Sequence, residues 1–230
     1  MKKIVGQRFQ SWYDRDSSRV FTNIEFERCH FVNCSLSTTE TPSHRSIFRN
    51  IKWIDCIAQG CDVDAAIFED VIIKNLKIPS ILPFYGTVFK HTIFKGRIGR
   101  IMMNPLVFPG VLDPLKQKEF DQVNALYYAS VDWALDISEA KFVDCDIRSV
   151  PARLIRRDQQ TQVIVTRQKA IEGTWRKLDL TKTHWKTSLE FFLERGAEDT
   201  VLVAPKASRS YEHLLEGLRA LRKIGVAEAD

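Results

Sequence analysis

The chain has no apolar run of the ~18 residues that would cross a bilayer as a helix. Its opening, MKKIVGQRFQSWYDRD, lacks the apolar stretch of roughly 7–15 residues that a secretory signal needs. A cytoplasmic protein without a membrane partner is therefore expected. The cysteines number five, an odd count, and none forms a C-x-x-C, which argues against a disulfide framework and against a zinc knuckle. The five histidines, His30, His44, His91, His184 and His213, show no H-E-x-x-H spacing. There is no G-x-S-x-G, Gly-rich phosphate loop or deaminase signature, and the glycines of KGRIGR are wrongly spaced for phosphate. These absences point away from an enzyme and from a bound metal or cofactor. Disorder is excluded too, because 44% of the residues are hydrophobic.

What is present is a period. In FTNIEFERCHFVNCSL, Phe21, Phe26, Phe31 and Leu36 recur every fifth residue, with Ile24, Cys29 and Cys34 two places before the last three. Neither a helix at 3.6 residues per turn nor a strand at two gives that spacing. After a polar stretch, STTETPSHR, that reads as a surface loop, the fives run unbroken from Ser46 to Ile78. Their centres are Phe48, Trp53, Ala58, Val63, Phe68, Ile73 and Ile78, and their companions are Ser46, Ile51, Cys56, Cys61, Ala66, Val71 and Leu76. If each five is a short extended piece and a turn, four close a square coil, and coils stack at the roughly 4.8 Å spacing of paired strands. Centres and companions then face inward, where cysteine acts as a small hydrophobe. His30 and the acidic run Asp62, Asp64, Glu69 and Asp70 fall in outward, solvated positions.

The segments CHFVN, CSLST, SIFRN, AIFED and AKFVD resemble the pentapeptide-repeat family. That resemblance implies a mainly β fold, a right-handed quadrilateral β-helix solenoid of about five irregular coils with a C-terminal α-helical cap. Residues 1–154 would form it, with an insertion near 101–121, and 155–230 would be a basic linker followed by an α-helical capping or dimerisation region. Phe84, Phe89 and Phe94 continue the period, and the next centre is Gly99 or, one step early, Ile98. The proline-rich stretch after it reads as a loop or short helix lying over one wall through Met102, Met103, Leu106, Val107 and Phe108. Tyr128, Trp133, Ile137, Phe142 and Ile147 read as returning centres, with Leu135, Ala140 and Cys145 as companions. Beyond them, TQVIVTRQ reads as a strand, and TSLEFFLERG and RSYEHLLEGLRALRKIG as helices.

The net charge is +5, and its excess lies just past the repeats: residues 156–187 hold eight Lys+Arg against three Asp+Glu. Arg156, Arg157, Arg176 and Lys177 are the candidate docking residues, for another protein with an acidic surface. Tyr211, Leu214, Leu218 and Leu221 form the apolar face of the last helix, which caps the end of the stack or pairs with its copy in a homodimer. The leading functional reading is a non-enzymatic protein-interaction module acting through a rigid surface, an inhibitor, immunity-like protein or adaptor. Two alternatives stand behind it. Some members of the resembled family bind type II topoisomerases as DNA mimics and confer protection, although the repeat region here is nearly charge-balanced. Direct nucleic-acid binding through 156–187 would use Trp175 and Trp185 beside the cations.

The cysteine positions generate a direct expectation. Metal analysis of protein purified without chelator is expected to find no stoichiometric zinc. A one-to-one metal content that is lost together with folding when Cys29, Cys34, Cys56 or Cys61 is replaced contradicts it.

Overall fold

The computed structural model describes residues 1–107, 113–195 and 197–228. Its first strands are β1 (Lys2–Val5), β2 (Arg8–Gln10), β3 (Tyr13–Arg15), β4 (Val20–Glu27), β5 (His30–Val32) and β6 (Ser35–Thr38). The unbroken fives supply β7 (Ile47–Ile54), β8 (Ile57–Gln59), β9 (Asp62–Asp64), β10 (Ile67–Glu69) and β11 (Ile72–Lys74). Then come β12 (Leu82–Tyr85), β13 (Val88–Lys90), β14 (Thr92–Asn104), α1 (Pro114–Ala129), β15 (Leu135–Asp136), β16 (Ala140–Ile147) and β17 (Ile155–Arg156). The chain continues through β18 (Gln162–Thr166), α2 (Arg167–Glu172), α3 (Trp185–Arg195), β19 (Asp199–Val203) and α4 (Tyr211–Lys223).

The five-residue period has a backbone cause. Asn50, Asp55, Gly60, Ala65, Asp70 and Asn75 all have φ between +52° and +61°. Each is a left-handed residue between short extended pieces, a conformation that Asn, Asp and Gly adopt more readily than other residues. Every fifth residue therefore bends the chain, and the sheet curls. Parallel pairing aligns the centres in columns. One runs Leu36, Val63, Phe84, Met103, Ile147, and another Phe21, Phe48, Phe68, Phe89. All seven centres and all seven companions from Ser46 to Ile78 are buried. Rings stack between layers, Phe9 on Phe31 and Phe21 on Phe48 each at 4.9 Å, which adds to simple burial. Burial pushes the Cys56 and Cys61 thiols up to about 11, so both are neutral at pH 7 and pack as apolar groups.

The expected fold class is nevertheless corrected. The protein is mixed α/β: a large curled, half-barrel-like sheet, 16-stranded and parallel through β17, with four α-helices interspersed among the described residues, instead of a β-helix solenoid with helices confined to a cap. Three features depart from uniform five-residue units. β4, β7, β14 and β16 are longer than one five-residue unit, reaching 13 residues in β14. The 16-residue α1 occupies the place where Tyr128 was expected to resume the repeat. The last strands, β18 and β19, pair antiparallel.

Individual expectations change with it. Ile101–Asn104 belongs to β14, so the insertion begins later than 101, and Phe108 lies outside the described residues. KGRIGR is part of β14 with Arg97 and Arg100 exposed, and Gly96, at φ +71°, bends the strand there. Ile98 enters the core and Gly99 lies against Ile78, where a Cβ would come within 2.5 Å of the Ile78 side chain. Trp133 is half-buried between the His91 ring and the Arg156 guanidinium, 4.1 Å away. The two ends of the STTETPSHR stretch are buried: Ser37, Thr38 and Thr39 at one and Arg45 at the other. His30 is half-buried against Arg8, and the acidic run is no solvated strip, because Asp64 is buried and Asp62 accepts from the Ser35 hydroxyl at 2.7 Å.

α1 lies on the outside of the curl. Asp113 caps it by accepting from the Leu115 N–H, and Phe120 packs on Ala65 and Val107. The Tyr128 hydroxyl accepts from the Phe89 N–H at 3.3 Å. Arg45 reaches Asn124 Oδ1 at 2.7 Å and stacks on the Phe120 ring at 4.8 Å. Burial lowers the Arg45 guanidinium to about 10.

A second apolar cluster contains Trp175, Trp185, Leu189, Leu202 and the inner face of α4. β19 divides it from the sheet core by strand alternation: Val201 and Val203 face the sheet core, and Leu202 faces the second cluster. Phe68, fully buried among Phe48, Trp53, Phe84 and Phe89, tests the inward assignment. Phe68→Ala is expected to lose about 3–5 kcal/mol in denaturant unfolding. Glu69→Gln, which removes the surface ion pair with Arg49 and keeps an acceptor for the Tyr127 hydroxyl, is expected to lose a small part of that. Equal losses would refute the assignment.

Candidate binding cleft

A cleft of about 640 Å³ separates the outer side of β16 and β19 from α3, with Asp121 of α1 and Leu106 at its margin. On β16 and just beyond it, Asp144, Asp146 and Arg148 are spaced by two, which places them along one face of extended chain. On the opposite side, His184, Thr187, Ser188 and Phe191 follow the three- and four-residue spacing of one helix stripe. The other stripe of α3, Trp185, Leu189 and Phe192, is buried.

The chemistry of the cleft is acidic and aromatic. Asp121, Asp144, Asp146 and Asp199 line it, and Arg148 is the one Lys or Arg among its described lining residues. Arg148 and Asp146 form a forked pair, Nε to Oδ1 at 2.7 Å and Nη2 to Oδ2, while the guanidinium carbon lies 5.8 Å from the Phe191 ring centre. The other three carboxylates accept from neutral N–H groups: Asp144 from the Cys145 backbone at 2.9 Å, Asp199 from the Ala152 backbone at 2.9 Å and Asp121 from the Gln117 amide at 2.8 Å. None of those donors carries a positive charge. Phe191 is 45% exposed, a large apolar surface open to a ligand. Burial, with Asp146 and Asp144 beside it, pushes the Cys145 thiol well above its ordinary value, so it is no nucleophile at neutral pH. Among the described residues, no group of three His, Cys, Asp or Glu side chains is placed to hold a metal ion.

The α3 wall is held by the second cluster. The Trp185 indole N–H donates to the Leu214 carbonyl at 2.9 Å, and Gly217 of α4 lies directly beneath the ring. A Cβ at 217 would stand 2.6 Å from Trp185 Cδ1.

The residues expected to dock a partner lie elsewhere, and they do not behave alike. Arg156 is exposed and stacked on Trp133. Arg157 is half-buried and paired with Glu228, whose carboxylate also accepts the Ile164 N–H at 3.0 Å, so it is a structural tie. Arg176 and Lys177 are exposed on a separate 3-10 turn, Arg176 lying 4.4 Å over the buried Trp175. Trp175 and Trp185 are both interior, unlike stacking platforms for a base. Tyr211 is half-buried and Leu214, Leu218 and Leu221 are buried against the second cluster, so the face that could serve a homodimer packs within the chain. The sheet edge at β16 is met by β19, through Ile147 and Val201, and not by α4 itself. Period-five reading passed over the cleft residues. The signal was the two-residue alternation of charge in DCDIR.

No helix among the described residues is long and apolar enough to cross a membrane. Compared with known proteins, the chain matches no family model and no curated sequence. The resemblance to pentapeptide-repeat proteins thus rests on the spacing of its residues.

Gly217→Ala tests whether α4 sets the cleft wall. It is expected to lower the melting temperature and shift the Trp185 emission, because the indole must move off α4. An unchanged spectrum and melting temperature would show that α4 does not position the ring.

Proposed function

We propose that the protein is an interaction module that holds a basic segment of a partner protein in the cleft between β16 and α3. The observation that carries this reading is the charge imbalance of one concave site: four aspartates against Arg148, facing an exposed phenylalanine. Such a surface suits a chain segment carrying cations and an apolar side chain, since charge complementarity steers encounter while the aromatic contact slows release. The partner chemistry differs from the acidic surface suggested by residues 156–187, because none of Arg156, Arg157, Arg176 and Lys177 lines this cleft.

Calorimetric titration with a short peptide of alternating basic and leucine residues tests it. Binding is expected to weaken as salt rises from 50 to 500 mM, as exposed charge pairs are screened over roughly a Debye length. Asp121→Asn with Asp144→Asn should weaken it roughly 2–5-fold per site, and the fold should persist. An acidic peptide that binds as well, or a double variant that binds unchanged, would overturn the reading.

A further inference from the structure

We infer that the element recognised in the cleft is a partner's arginine, and that Arg148 occupies its seat while the cleft is empty. This rests on the binding role just proposed for the cleft. The seat consists of a carboxylate and a ring. Asp146 receives two nitrogens of one guanidinium, and the same group approaches Phe191 with its carbon 5.8 Å from the ring centre. A planar fork can satisfy both contacts at once, whereas an ammonium offers neither the paired N–H geometry nor the flat face. The chain's own side chain therefore displays the ligand chemistry.

Arg148 is also able to leave. Its side chain is 26% exposed and that of Asp146 39%, so the pair can open to water without stranding a buried charge. Its backbone stays anchored, the Arg148 N–H donating to the Met103 carbonyl at 3.0 Å, so departure is a side-chain rotation. The remaining aspartates, bonded to neutral donors, keep the cleft negative for the incoming cation.

The test compares two peptides of one sequence, basic positions all Arg or all Lys, by calorimetry against wild type, Arg148→Gln and Asp146→Asn, with folding checked by circular dichroism. The wild type is expected to prefer the Arg peptide. Arg148→Gln should tighten the Arg peptide roughly 2–5-fold, the scale of a part-exposed ion pair, and the Lys peptide by less, since an ammonium gains the freed charge but not the paired N–H geometry. Asp146→Asn should remove the preference. If the wild type binds both peptides equally and Arg148→Gln tightens neither, this inference fails and the basic-segment reading survives. If Arg148→Gln weakens the Arg peptide, Arg148 supports the ligand and does not compete with it, and the inference is again overturned. If no variant binds either peptide, both readings fall together.

Discussion

The structure depends on burying two side chains in every five while the backbone between them bends. A strand alone would send alternate residues to opposite faces, and half of this chain's apolar groups would meet water. The left-handed residue at each fifth position prevents that. It turns the chain before the alternation would carry the next apolar side chain outward, so that Val63, Phe68 and Ile73 all point to one interior. Parallel pairing then leaves backbone groups satisfied and places like beside like in columns.

The second constraint is shared packing at β19. Because Val201 and Val203 belong to one core and Leu202 to the other, the strand cannot shift by one residue without exchanging its apolar set between them. The cleft inherits this registry. Its floor comes from β16 and β19, and its far wall from α3, whose Trp185 is bonded to the backbone of α4. An open, charged site is thus bounded by elements whose own positions are fixed by buried contacts.

Much of the interior was legible in the sequence. In the run from Ser46 to Ile78 every centre and companion is buried, although Asp64 and Ala65 are buried as well, and the terminal helices and the strand at 162–166 follow from ordinary periodicity. The overall architecture was not. A period of five is a local rule, and it does not state where strands fuse into one long β14 or where a 16-residue helix interrupts them. Tyr128 illustrates the failure: it stands five before Trp133, yet its neighbours Phe120 and Asn124 share a helical face that packs on Ala65 and Arg45. Counting charge along the chain overlooks pairing for a similar reason. Arg157 and Glu228 meet across 71 residues, and such a partner is invisible to any window.

The contact between Arg45 and Asn124 has a consequence for how α1 is held. α1 is joined to the sheet by a few contacts, among them this hydrogen bond, the Phe120 packing, the Tyr128 hydroxyl and the Lys116–Glu40 pair, while the strands beneath it keep their own ladder. The helix is thus held by side chains alone, while each strand beneath it is held by its backbone ladder. The same burial that seats Arg45 under α1 lowers its guanidinium to about 10. One buried guanidinium thus ties the seating of α1 to the hydration of the sheet beneath it.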